Sequence, residues 1–304
     1  GKGGNKTEKE IEVNIFKDTE KPELTGLHDL TVKVNGDVDY LSGLTAKDNR
    51  DPSPKITVDS SDVDLKKTGT YIVKDRSGNA DTFTRNVKVL KKVVTKAVPS
   101  SEEKIVYLTF DDGPSENTKK IIDILDKYGA KATFFVTGNN KKCNKYIKEA
   151  YEKGHTIGLH TYSHDYKEVY SSMDAYFDDL NKIGQMVKEQ IGFVPKYIRF
   201  PGGSSNTKSA SYCKGLMTTL VTEVQNRGYQ YYDWNEDSED GSGELSVKQL
   251  IKNATAAKDN NIILLFHDAN GKENSLEALG PVIEYYQDKG YVFKGIDDSS
   301  YVVH

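Results

Sequence analysis

Cysteine is nearly missing from this chain: there are two, Cys143 and Cys213, in 304 residues. Two are too few for a disulfide framework. Neither has metal-ligand spacing, and both fall in segments that read as helices, so two unpaired thiols are expected. Long apolar runs are missing as well; nothing approaches the roughly 20 residues needed to span a membrane. No Lys/Arg-rich block is present and the net charge is only -4, which argues against a nucleic-acid partner. A charged fraction of 29% points to a water-soluble surface. No signal peptide opens the chain. Gly1-Lys2-Gly3-Gly4 reads as a scar or linker, and the expectation is that a leader or membrane anchor has been removed.

What is present divides into two patterns. Up to about residue 90 the chain reads as all-β. Ile11, Val13 and Ile15 alternate, as do Leu30, Val32 and Val34, and the pattern returns at Ile56-Val58, Tyr71-Val73 and Val87-Val89. Turn clusters at Asn35-Gly36-Asp37, Asp48–Pro52 and Ser77-Gly78-Asn79 separate them. Short alternating strands with regular turns predict a β-sandwich. Residues 91–103, rich in Lys, Val and Ser, read as a linker. From Lys104 strands and helices alternate. Strands are expected at Ile105–Asp111, Ala132–Thr137, His155–His160, Tyr197–Phe200, Tyr229–Trp234, Ile262–His267 and Tyr291–Phe293. Helices are expected at Glu116–Tyr128, Lys141–Lys153, Ser172–Ile191, Ser209–Asn226, Ser246–Lys258 and Leu276–Lys289. Such alternation predicts an α/β fold whose parallel sheet closes, or nearly closes, into a barrel of about seven strands.

The strand ends carry the chemistry. Ile105-Val106-Tyr107-Leu108 runs into Thr109-Phe110-Asp111-Asp112-Gly113-Pro114, where Gly and Pro stop the strand. Alone, an Asp-Asp-Gly-Pro run reads equally as a polar turn. Neighbouring strand residues point to opposite sides, so one Asp can ligate a metal while the other acts as a base. Further along, ionisable residues end strand after strand: His160-Thr161-Tyr162-Ser163-His164, Arg199, Asp233 and His267-Asp268. In a barrel those ends converge on one face. Four residues of extended strand span about 13 Å, too far for one ion at Zn–N distances of about 2.0–2.1 Å. The chain must therefore turn after His160 for both imidazoles to meet one metal. With Asp112 they make a two-His, one-carboxylate set that leaves room for water, the pattern of a catalytic zinc site.

Thr109–Pro114, His160–His164, Arg199-Phe200-Pro201-Gly202, Asp233-Trp234 and Leu265-Phe266-His267 together resemble, in order, the motifs of the polysaccharide deacetylase family. This is the carbohydrate esterase group 4, or NodB-like, domain, and the resemblance covers roughly residues 104–304. It implies a distorted (β/α)7 barrel. It implies Asp111 as general base, with Arg199 orienting it, and Asp112, His160 and His164 as ligands of one divalent ion. Zinc is the expected ion, with cobalt, nickel or manganese as alternatives. It implies His267 as general acid paired with Asp233, and Pro201, Gly202, Trp234 and Leu265 as substrate-binding residues. At Gly202 the family pattern has a Tyr whose backbone N–H helps bind an oxyanion. Here that donor is expected to remain and the aromatic wall to be lost. Trp234 also reads as plain core, and Arg199 as a structural salt bridge. The stretch Gly69–Ala80 resembles Ig-like repeat modules attached to bacterial surface enzymes, so residues 1–90 are expected to be an Ig-like spacer.

The expected activity is metal-dependent N-deacetylation of N-acetylglucosamine residues in a cell-wall polysaccharide, peptidoglycan first. Chitin oligomers, xylan esters or an exopolysaccharide are the alternative substrates. An inactive wall-binding module, or an adhesin or scaffold working through residues 1–90, are the alternatives outside catalysis. An extracellular or cell-surface monomer is expected, with no nucleic-acid partner.

Overall fold

The chain divides into two units, Gly1–Lys91 and Lys92–His304. The computed structural model describes residues 17–28, 30–33, 39–59, 69–74, 79–85, 87–90 and 100–304. The expected Ile11–Ile15 strand, the turns at Asn35-Gly36-Asp37 and Ser77-Gly78, the opening glycines and residues 91–99 of the expected linker lie outside the described residues.

In the first unit, β1 (Glu23–Thr25) pairs antiparallel with β3 (Thr45–Lys47). Next, β2 (Leu30–Lys33) pairs parallel with β7 (Val87–Leu90). Finally β4 (Lys55–Asp59), β5 (Gly69–Lys74) and β6 (Ala80–Arg85) form an antiparallel meander. The four expected strands within the described residues appear as β2, β4, β5 and β7. The Asp48–Pro52 turn is made by the Asp48 carboxylate, which accepts the N–H groups of Arg50 and Asp51 at 2.8 and 2.7 Å. Asp favours such turns because its short side chain can mimic a backbone carbonyl.

The second unit carries an eight-stranded sheet. Its strands are β8 (Ile105–Asp111), β9 (Ala132–Val136), β10 (Thr156–Leu159), β11 (Tyr197–Ile198), β12 (Gln230–Tyr231), β13 (Glu236–Asp237), β14 (Asn261–His267) and β15 (Val292–Phe293). Their order is β12-β11-β10-β9-β8-β14-β13, and every pairing is parallel. The short β15 pairs with the start of β8, below the point where β9 joins it. Around the sheet run α1 (Thr118–Lys127), α2 (Lys145–Glu152), α3 (Tyr166–Val169), α4 (Met173–Ile191), α5 (Leu216–Asn226), α6 (Val247–Ala254) and α7 (Glu273–Asp288).

Strand alternation splits the core in two. Val106, Leu108 and Phe110 of β8, with Ile262, Leu264 and Phe266 of β14, pack outward under the helices. Ile105 and Tyr107 of β8, with Ile263 of β14, face the other way and meet Phe135, Tyr232 and Ile296. Each fully buried Phe or Leu contributes roughly 1.5–3 kcal/mol, so both layers hold the register. The sheet must also curl. Three strand spacings separate β11 from β8, about 14 Å in a flat sheet, yet the Arg199 side chain just beyond β11 reaches Asp111 at 2.9 Å. A curled parallel sheet of this kind is a partly open (β/α) barrel. Among the described residues β12 and β13 share no ladder, so the ring is not closed.

Two sequence expectations change here. The strand expected to run to Trp234 ends at Tyr231, and a further strand, β13, follows it. Tyr232 to Asn235 is a bend whose N–H groups go to separate places: Tyr232 to Ile198, Asp233 to Val303 and Asn235 to Ile263. Helix limits otherwise follow local signals. Ser172 caps α4 by accepting the Ala175 N–H at 3.0 Å, and Gly192, in the left-handed region, ends it.

Candidate active site

The β8–β14 register places Asp111 directly opposite His267. Both belong to the inward-facing row of their strands, one step above Thr109 and Leu265. Asp111 is 3% exposed and Arg199 fully buried. Arg199 donates through Nη1 to Asp111 Oδ1 at 2.9 Å and to Thr109 Oγ1 at 2.7 Å. Its Nε donates to the Tyr232 carbonyl at 2.9 Å and its Nη2 to the Asp233 carbonyl at 3.0 Å. The guanidinium also lies over the Phe135 and Trp234 rings, at 4.5 and 5.4 Å. A buried cation needs this many partners. The result holds one oxygen of Asp111 and leaves the other, Oδ2, facing the imidazole of His160 at 3.7 Å.

Asp112, past the strand end, turns away from Asp111. Its Oδ1 lies 3.5 Å from His160 Nε2 and 3.2 Å from His164 Nε2. One ligand atom from each of the three lies within 4.8 Å of the others. The expected turn after His160 is present and has visible causes. Thr161 and His164 both take positive φ, 103° and 52°, and Asp112 does so at 74°. Non-glycine residues rarely sit there without surrounding support. The support comes from Asp179 on α4, a nearly buried carboxylate that accepts the N–H groups of Tyr162 and Ser163, the latter at 3.0 Å. The Thr137 side chain holds the other loop by donating to the Asp112 carbonyl at 3.1 Å.

These three residues fit a divalent cation. His160 Nδ1 donates to the Arg199 carbonyl at 2.8 Å, which leaves the Nε2 lone pair facing Asp112. Asp112 Oδ1 is buried yet accepts no hydrogen bond within the protein. A buried carboxylate oxygen without a donor is costly, and a cation between the two imidazoles would satisfy it.

His267 is not paired with Asp233, contrary to the sequence reading. Its Nδ1 donates to Asp240 Oδ1 at 2.6 Å, and its backbone N–H donates to Asp240 Oδ2 at 3.0 Å. Ser275 adds a third bond to Asp240 at 2.8 Å. Burial alone would lower the His267 pKa, but the Asp240 hydrogen bond and the charges of Asp111, Asp240 and Asp112 raise it to about 9. Burial works against the Asp240 carboxylate too, and the His267 bond and charge hold it below its ordinary range. Asp233 does another job. Its carboxylate accepts the Ser204 N–H at 2.9 Å and the Ser204 hydroxyl, pinning the loop after Pro201. The reason is the bend found above: the chain leaves β12 before Asp233 and comes beside β14 only from Asn235 and β13 onward, which brings Asp240 to His267.

The family match falls on this unit. The family described as polysaccharide deacetylase matches residues 99–221. A Bacillus cereus protein named peptidoglycan-N-acetylglucosamine deacetylase is 31% identical over 212 residues, covering 67% of this chain and 92% of that protein. This chain belongs to the polysaccharide deacetylase family. A second Bacillus cereus protein of the same name is 28% identical over 225 residues, covering 69% of this chain and 77% of its own length. The crystal structure of the catalytic domain of a peptidoglycan N-acetylglucosamine deacetylase from Eubacterium rectale has 42% identity and a TM-score of 0.67. It covers 69% of this chain and 96% of that domain. The deacetylase is accordingly a hydrolase of amide bonds.

The remaining residues expected in the deacetylase site differ in exposure. Gly202 is exposed, and its N–H donates to no group among the described residues. Pro201 is buried, its carbonyl accepting the Tyr170 hydroxyl at 2.9 Å. Trp234 is half-buried, and Leu265 sits one step below His267 on the inward row. Asp240 and Asp179 were missed by sequence reasoning. Asp240 carried a signal, since Asp237-Ser238-Glu239-Asp240-Gly241 is another acidic turn. Asp179 carried none, lying inside a helical pattern. Cys143 and Cys213 are both free.

Proposed function

We propose that this chain is a metal-dependent N-deacetylase that removes acetyl groups from N-acetylglucosamine residues of a cell-wall polysaccharide, with peptidoglycan as its substrate. The observation that carries the reading is the orphaned Asp112 Oδ1 between two imidazoles, flanked by the Asp111–Arg199 and His267–Asp240 pairs. The names of the relatives support the same substrate.

A divalent ion held by Asp112, His160 and His164, zinc by its ligand set, would polarise the acetamide carbonyl and lower the pKa of a water molecule. Asp111 takes the water proton on Oδ2 as the oxygen–carbon bond forms. The Gly202 N–H donates to the oxygen on which negative charge develops. His267, protonated and held by Asp240 at Nδ1, hands the Nε2 proton to the sugar nitrogen as the carbon–nitrogen bond breaks. Acetate and a free amine result. Arg199 keeps Asp111 in place, and Asp233 holds the Gly202–Ser204 loop beside it.

We read residues 1–90 as an Ig-like spacer, residues 91–103 as a linker and residues 104–304 as the catalytic domain of a cell-surface or extracellular enzyme. Among the described residues no helix is long and apolar enough to cross a membrane.

The test is acetate release from purified cell wall and from a panel of chitin oligomers, acetylated xylan and exopolysaccharide, after chelation and after metal is restored. Release from wall that depends on metal is expected. His160→Ala should lose its ion while keeping its circular dichroism spectrum. Metal-independent release, or a full complement of metal in His160→Ala, would overturn the reading. Sugar binding without acetate release would point to the inactive wall-binding module instead.

A further inference from the structure

Gly202 and Gly203 adjoin the site with φ of +76° and +81°, a backbone region that L side chains rarely adopt. What lies beside each glycine is informative. A Cβ built on Gly202 would meet Tyr166 Oη at 2.6 Å, and one built on Gly203 would meet Trp234 Cη2 at 3.1 Å. The exposed Gly202 and the buried Gly203 therefore let two aromatic side chains from different elements come close against the backbone. Tyr166 opens α3, just after the candidate metal ligand His164, and its ring stands edge-on to that imidazole at 5.9 Å. Lys208 lies over the same ring at 5.3 Å. The Tyr166 hydroxyl has no hydrogen-bond partner among the described residues and is not among the buried unpaired atoms, so it is not sealed from solvent. A half-buried phenol with a free hydroxyl beside an unpartnered backbone N–H suits a ligand with both an apolar face and polar edges. A pyranose ring has that character.

We propose that Tyr166 is a substrate-binding residue. Its hydroxyl hydrogen-bonds a hydroxyl of the sugar whose acetamide is cleaved, its ring walls that sugar opposite Trp234, and the absence of a side chain at Gly202 admits it. This rests on the reading of the site as a deacetylase centre and adds a specificity contact to it.

The test uses the full chain with metal bound. Acetate release from a β-1,4-linked N-acetylglucosamine tetramer gives kcat and KM. Trp234 is the sole Trp of the chain, so its fluorescence in an Asp111→Asn background gives a Kd for the tetramer without turnover. Tyr166→Phe, which keeps the ring, should raise KM and Kd by about 3–10-fold, the worth of one net hydrogen bond, with kcat falling less than about twofold. Tyr166→Ala should raise both further. Metal content should match the wild type in each, which separates a sugar contact from support of His164. Gly202→Ala should weaken binding in the wild-type background and by a smaller factor in Tyr166→Phe, where the nearest remaining ring atom, Cζ, lies at 3.5 Å. Unchanged KM and Kd in both Tyr166 variants would overturn the proposal, as would loss of metal in Tyr166→Phe. If wild-type protein releases no acetate from any polymer, the deacetylase reading fails, while the fluorescence titration still decides whether Tyr166 binds sugar.

Discussion

Asp233 and Asp240 carry the same side chain and meet different partners, and that difference sets what each substitution should do. Asp240 takes both the Nδ1–H and the backbone N–H of His267. Asp240→Asn should weaken the hold on the imidazolium. The alkaline limb of the kcat profile should then move to lower pH by about one unit or more. In the wild type that limb should fall between 6.5 and about 9, the ordinary and folded values of His267, because a cation at the triad offsets part of the Asp111 and Asp112 charge. Asp233→Asn should leave the limb in place and raise KM, since it frees the Ser204 loop; a limb that moves in Asp233→Asn and stays in Asp240→Asn would contradict the pairing. Asp111→Asn removes the proton acceptor while keeping shape and size. It should retain metal and lose about 10²–10⁴-fold in kcat, and near wild-type turnover would show Asp111 to be only a turn residue.

The loop from His160 to His164 works as an element because α4 holds it from behind. Two of its residues take positive φ, and Asp179 satisfies the two N–H groups at its bend. Asp179→Ala leaves both donors unpaired and lets the imidazoles drift. Metal affinity should fall by about 10–100-fold, as for partners that orient ligands from behind. Competition against a chromophoric chelator measures it, with helix content unchanged because the apolar face of α4 is untouched. Affinity equal to the wild type would show that the loop holds its shape without α4. Sequence pattern marked α4 as a helix through Ile183, Met186 and Val187, but a carboxylate among those residues reads simply as solvated. Its partner is backbone, and a backbone N–H has no signature in a sequence.

On the scale of the molecule, all the residues placed in the site belong to the unit Lys92–His304. A chain lacking residues 1–91 should therefore deacetylate the soluble tetramer with kcat within about twofold of the full chain, and loss of that activity would give the first unit a part in catalysis. The pH dependence of stability should also carry the mark of His267. Its pKa rises from 6.5 to about 9 on folding, so the folded state binds its proton more tightly than the unfolded state does. That contribution is complete below about 6.5 and disappears as pH climbs through about 9. With the metal removed, the unfolding temperature should decline across that window, and the decline should be shallower in Asp240→Asn. An equal decline in both would assign the effect to other groups.

Much of this was legible along the chain. Strand periodicity separates the inner row of β8 from the outer one and sends Asp111 and Asp112 to different sides, while the role of each came with the family resemblance. Gly113-Pro114 announces the strand end. The distance argument requires the turn after His160, and the turn is there. These are local consequences of backbone geometry, which a sequence carries in its spacing. The partner of His267 is not local. Asp233 and Asp240 stand in similar acidic stretches after short strands, and the family resemblance named the one beside Trp234. Only the curl of the sheet and the two-residue strand β13, whose pairing is parallel to β14, decide which carboxylate arrives beside β14. The same holds for Tyr166 and Gly202, which come from different elements and meet only because α3 folds back over the loop after Pro201. Side-chain chemistry and strand direction are written residue by residue. Which two side chains touch depends on how the sheet closes, and closure is a property of all the strands together.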